Sequence, residues 1–147
     1  MIRVHGTAIA LGGDGVLLRG ASGSGKSDLA LRLVDSGAVL IADDQTELRD
    51  IGGAVRLSCP AGIAGRMEVR GVGIIDAPHR ASAPLRLVVD LVPPERIERM
   101  PPPEWCRFFN YDVRLIALAP FEASAPAKLR AALGLLARSE ANAGQRR

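Results

Sequence analysis

At 147 residues, 48% of them apolar and 24% charged, the chain is one domain in size with a single core, which excludes an intrinsically disordered protein. Its formal charge of +3 comes from scattered arginines without a basic block, and three phenylalanines, one tyrosine and one tryptophan offer little for base stacking, so no nucleic-acid partner is expected. Cys59 and Cys106 lack C-x-x-C spacing and read as reduced, no eighteen-residue apolar span exists, and Met1-Ile2-Arg3-Val4-His5 opens no signal-peptide core; the expected setting is cytoplasmic, with no membrane.

Residues 2–11 alternate loosely as a strand interrupted at Gly6, and Gly12-Gly13-Asp14-Gly15 is a turn, predicting a hairpin. Its second strand, residues 16–19, runs into Gly20-Ala21-Ser22-Gly23-Ser24-Gly25-Lys26-Ser27, a complete G-x-x-x-x-G-K-[ST] motif. Glycines let the backbone close around a phosphate, and the free amides and positive dipole end of the following helix favour the anion. Lys26 would meet the terminal phosphates and the Ser27 hydroxyl a Mg²⁺ ion, which makes the chain a nucleotide-binding protein.

Residues 28–36 predict a helix with Asp28, Arg32 and Asp35 on a polar stripe, Leu29, Ala30, Leu33 and Val34 opposite, and Gly37 as its C-cap. Residues 39–42 read as a central strand buried on both faces, ending in Asp43-Asp44. Such a pair is either a solvated strand exit or a ligand-facing site, since open α/β sheets present ligands at that edge. Residues 46–49 and 54–58 predict a hairpin through Gly52-Gly53, and 59–66 a loop. The stretch Glu68-Val69-Arg70-Gly71-Val72-Gly73-Ile74-Ile75-Asp76 is apolar, glycine-punctuated and carries two acids. After a loop over 78–84, residues 85–92 are a strong strand, the prolines at 93–94 and 101–103 bracket a weak segment at 95–100, and 113–118 form the last strand. Ser124 and Pro126 open a helix with a stripe of Leu129, Ala132, Leu133 and Leu136, and a polar, flexible tail is expected from about 139.

The phosphate loop, the Ala42-Asp43-Asp44 exit, the 68–76 stretch and Val4-His5-Gly6 together resemble the HPr kinase/phosphorylase family over residues 2–92, and the last helix more loosely. That resemblance implies an α/β fold: a P-loop nucleotide-binding core with a mixed β-sheet, like the core of HPr kinase and phosphoenolpyruvate carboxykinase. It implies one catalytic domain over 1–147, a core-only form, using ATP and Mg²⁺ to phosphorylate a serine of an HPr-like phosphocarrier. By the same resemblance Ser27 and Glu68 bind Mg²⁺, Asp44 takes the serine proton with Asp43 beside it, and His5 lies close by. The loop after the glycine-rich stretch is shorter than in the family, with Arg80 as the nearest candidate for its arginine and Arg86 behind it. A homo-oligomer is implied, hexameric in the family.

From residue type alone, His5 also reads as a packed or surface histidine, and Glu68 with Arg70 as an exposed cross-strand pair. Two rival functions stay open. A P-loop small-molecule kinase should carry an arginine-rich lid, and no such insertion is visible. A nucleotide-sensing binding module would keep the phosphate loop without turnover.

Overall fold

A computed structural model describes the backbone of residues 1–145 and the side chains of residues 1–140. The hub is a ten-residue strand, β9 (Ser82–Leu91), and not the segment at 39–42. Along one edge β9 pairs in parallel with β3 (Asp14–Arg19). Its first residues also pair with β6 (Ala54–Ser58), and its last with β11 (Tyr111–Leu118). Two sheets therefore share β9. One runs through β3 to β2 (Thr7–Leu11) and β4 (Val39–Ala42), and through β11 to β10 (Glu104–Phe108). The other runs through β6 to β5 (Gln45–Ile51) and β1 (Ile2–His5). A separate hairpin joins β7 (Arg66–Val69) to β8 (Gly73–Asp76).

The period of two along these strands sorts their side chains onto two faces, so two hydrophobic clusters form where length and composition predict a single core. Ile9, Val16, Leu18, Leu87 and Val89 face α1 (Lys26–Asp35) and α2 (Ala125–Gln145), packing on Leu29, Leu33 and Leu129. Their neighbours Ala8, Ala10, Leu17 and Val88 face the other way, onto Leu48, Val55 and Leu57 of the second sheet. The result is helices, a mixed sheet, and a second sheet curled beneath it. Leu87 and Leu17 are fully buried on opposite faces, and truncating either to Ala would cost about 2–5 kcal/mol.

The helix stop works as its sequence suggests: Gly37 takes φ 113°, and the amides of Gly37 and Ala38 donate to Val34 O and Leu33 O. Three features differ from expectation. β4 lies at the end of its sheet, and its outer edge is covered by the chain at 78–80, where Leu40 N donates to Pro78 O and Arg80 N to Leu40 O. That cover is why an edge strand reads as doubly buried. β10 follows the proline run unannounced, and only a 3-10 turn at Pro94–Arg96 occupies the weak segment before it. The last helix continues to Gln145, so residues 139–145 of the expected tail are helical, while 146–147 lie outside the described residues. No helix among the described residues is long and apolar enough to cross a membrane. Burial pushes the Cys59 thiol up, away from the reactive thiolate, in keeping with a packing residue.

Candidate active site

The phosphate loop joins β3 to α1. Gly23 and Gly25 adopt φ 82° and 101°, conformations that a side chain strains. Gly20 is required by space, because a Cβ there would lie 2.3 Å from Ser24 Oγ. Gly25 occupies the N-cap of α1 without a side-chain cap, so the first-turn amides are left for an external acceptor. The Lys26 ammonium is buried and bonded to Gly20 O at 2.8 Å and Ala21 O at 3.0 Å, within the loop it serves.

The paired aspartates follow β4 and have different surroundings. Asp43 is a junction: Oδ1 accepts from the Ser27 hydroxyl at 2.8 Å and the Thr7 hydroxyl at 3.2 Å, and Oδ2 from the amide of Glu68 at 3.2 Å. One carboxylate thus ties together α1, β2 and β7. Asp44 is turned outward, its side chain 64% exposed, with Oδ1 2.7 Å from His5 Nε2. Its φ of 68° is left-handed, unusual for a residue other than glycine. That conformation is held by Asp44 N donating to Thr7 Oγ1 at 3.1 Å and by Gly6 N donating to Asp44 O at 2.9 Å.

Lys26, Ser27, Asp43, Asp44, Glu68 and Arg70 line one cavity of about 750 Å³. Its donors suit a nucleotide with magnesium. Among the described residues no three His, Cys, Asp or Glu side chains converge on a metal position. Magnesium seldom needs such a cage, since it keeps waters and leans on one or two carboxylates and the substrate's phosphates. Ser27 beside Asp43 offers that sparse hard-oxygen set, Glu68 lines the same cavity, and Lys26 and the α1 amides would supply positive charge to a bound phosphate.

Of the residues expected from sequence, the loop 20–27, His5, Asp43, Asp44 and Glu68 come together. Arg80 does not. Its guanidinium donates to Gly12 O at 3.0 Å, at the β2–β3 turn, the opposite end of the sheet from the phosphate loop. The chain at 78–80 runs along β4 and carries Arg80 away, and Arg86 is engaged there too, near Asp14 and Glu140. The arginine in the cavity is Arg70, on the turn between β7 and β8. Thr7 and Phe121 were also missed. A lone threonine opening an apolar strand was a usable signal for the first; Phe121 is brought by the β11–α2 connection, which no local pattern reveals.

Residues 1–98 match the family model described as the HPr Serine kinase C-terminal domain. The HPr kinase/phosphorylase of Clostridium novyi (strain NT) is 45% identical over 76 residues, 52% of this chain and 25% of that protein. That of Bordetella pertussis (strain Tohama I) is 39% identical over 109 residues, 67% of this chain and 35% of that protein. The chain thus spans about a quarter to a third of the length of these curated relatives. Among solved structures, the Hpr(Ser) kinase/phosphatase from Coxiella burnetii superposes with a TM-score of 0.87 at 23% identity, covering 99% of this chain and 96% of that one, a likeness of fold. With two thirds of its residues matched by the family model and the loop, aspartate pair and glycine-rich hairpin assembled around one cavity, the chain belongs to the HPr serine kinase C-terminal domain family.

Proposed function

We propose that the chain is a protein serine kinase core that binds ATP with Mg²⁺ and phosphorylates a serine of an HPr-like phosphocarrier. The observation that carries the reading is the division of labour between the two aspartates. Asp43 is bonded to Ser27 at the base of the phosphate loop, while Asp44 is exposed at the same cavity with a free carboxylate oxygen. Phosphoryl transfer depends on positioning and charge stabilisation more than on covalent chemistry, so a few placed groups suffice.

Each side chain then has a task. Lys26 leaves its loop carbonyls to neutralise the terminal phosphates. Ser27, Asp43 and Glu68 hold magnesium, which supplies charge neutralisation at the phosphates. Asp44 takes the proton of the incoming serine hydroxyl, and the His5 ring keeps that carboxylate oriented. Arg70, which lines the cavity, takes the task first expected of Arg80, stabilising the transferring group. The name HPr kinase/phosphorylase carried by the relatives supports the choice of phosphocarrier. The same reading places the chain in the cytoplasm, where ATP and phosphocarriers meet, and in a homo-oligomer, a hexamer; exposed Trp105, Met100 and Leu135 are apolar side chains that an assembly would cover.

Incubation with Mg-ATP and the HPr-like proteins of the same genome, read by intact mass, tests this. Phosphate should appear on a serine, and Asp44→Asn should slow its appearance by about 10²- to 10⁴-fold while ATP affinity holds. Normal Mg-ATP binding with no transfer to any phosphocarrier would replace the kinase with a nucleotide-sensing module.

A further inference from the structure

A second groove, of about 490 Å³, opens beside the phosphate loop and shares Phe121 with the carboxylate cavity. Val92, Pro93 and Pro94 line it from the end of β9, Pro120 and Phe121 from the β11–α2 connection, and Ser24 from the loop itself. The Phe121 ring is 70% exposed and lies against the backbone of Gly25, so near that a Cβ on Gly25 would be 3.0 Å from its Cζ. This wall is fixed in place by Arg32 of α1, which donates to the carbonyls of Pro120 and Glu122.

The groove is almost wholly apolar, and apart from the Ser24 hydroxyl its polar side chains and several backbone groups have partners within the fold. Val92 N donates to Leu118 O at 3.0 Å, the Pro120 and Glu122 carbonyls accept from Arg32, and the Glu122 carboxylate faces Lys128 at 3.5 Å. The Ser24 hydroxyl is buried without a partner. An apolar-faced group carried by something that the neighbouring loop binds would fit this groove.

We propose that this groove takes the base of the nucleotide whose phosphates the loop holds, clasped between Phe121 and the Val92–Pro94 segment without its edge being read; the inference rests on the nucleotide reading of the loop. Three features support a base as occupant: continuity with the loop, a size ordinary for a small-molecule subsite, and an exposed aromatic face. A surface whose one unpartnered hydroxyl, that of Ser24, is buried discriminates weakly between purines, because discrimination needs placed donors and acceptors.

Calorimetry on the full chain with Mg-ATP, Mg-GTP and Mg-tripolyphosphate tests it, in wild type, Phe121→Ala and Phe121→Trp. ATP and GTP should bind within about threefold of each other and both more tightly than tripolyphosphate. Phe121→Ala should weaken both nucleotides by roughly 5- to 150-fold, the worth of one stacked base, and leave tripolyphosphate unchanged, while Phe121→Trp keeps the affinity. Unchanged nucleotide affinity in Phe121→Ala, or wild type binding tripolyphosphate as tightly as ATP, overturns the proposal while leaving the phosphate site standing, and gives the groove to a polypeptide. A preference of about tenfold or more between ATP and GTP overturns the absence of edge reading. If none of the three binds wild type, the nucleotide reading fails and this inference with it.

Discussion

Thr7→Val is the sharpest test of how the two aspartates are held. Thr7 is fully buried, and its hydroxyl bridges the pair, donating to Asp43 Oδ1 and accepting from Asp44 N. Valine keeps the shape and removes both bonds. Losing a hydrogen bond to a charged carboxylate costs about 1.5–3 kcal/mol, and the deprived Asp44 amide adds about 1 kcal/mol at a partly exposed site. The extra buried methyl returns about 0.8 kcal/mol, leaving a net loss of about 2–3 kcal/mol. For a domain of this size that lowers Tm by roughly 4–12 °C, measurable by circular dichroism. Transfer should fall further than stability alone requires. The left-handed Asp44 loses one of its two backbone restraints, and a misplaced catalytic group can cost about 10²-fold. Thr7→Ser keeps the hydroxyl and loses a methyl, so it should lose some stability and keep transfer. A valine variant that melts and turns over like wild type would show that the bridge holds nothing.

Asp44→Gly relieves the left-handed strain and removes only an exposed pair with His5, so its melting temperature should hold or rise while transfer is lost; a clear drop in Tm would mean that the His5 contact is structural. Lys26→Ala removes the charge proposed to neutralise the phosphates and should abolish tight Mg-ATP binding by calorimetry; near-normal affinity would displace the nucleotide from this loop. Glu68→Gln keeps the amide that bonds Asp43 and should weaken only the magnesium-dependent part of nucleotide affinity; an unchanged magnesium titration would return Glu68 to a surface role.

The legible parts of the sequence are those whose physics is local. The phosphate loop is a backbone path that glycines at 23 and 25 alone make cheap, and Gly37 marks a helix end for the same reason. The hairpins at Gly12 and Gly52-Gly53 were legible through their turns. What failed was set by partners distant in sequence. β4 reads as central because residues 78–80 bury its edge, a contact across some forty positions. Arg80 and Arg70 are equally plausible as text, and only the path of that covering segment decides which enters the cavity. Thr7 escaped notice because one hydroxyl in an apolar strand means little until both aspartates stand over it.

The placement of the carboxylates follows from how the two sheets meet. β2 pairs with β4, and the same two stretches of chain continue as β1 paired with β5. Beyond a register shift between Ala8 and Ile9, the ladder is interrupted at Gly6 on one side and at Asp43-Asp44 on the other, and there the chain passes from the upper sheet to the lower. Backbone groups freed by the bend need new partners: Gly6 N donates to Asp44 O, Gly6 O accepts from Thr46 Oγ1, and Asp44 N donates to Thr7 Oγ1. Satisfying them fixes Asp44 in the left-handed region and turns its side chain out toward His5, which sits one residue before the break on the facing strand. Asp43, one residue earlier, points the other way, to Ser27 at the start of α1. Two adjacent carboxylates thus have two different surroundings because the chain bends between sheets at the point where they stand. A substitution that straightened the bend would merge their surroundings, and the division of labour proposed for them, a magnesium-side acid and a proton acceptor, would go with it.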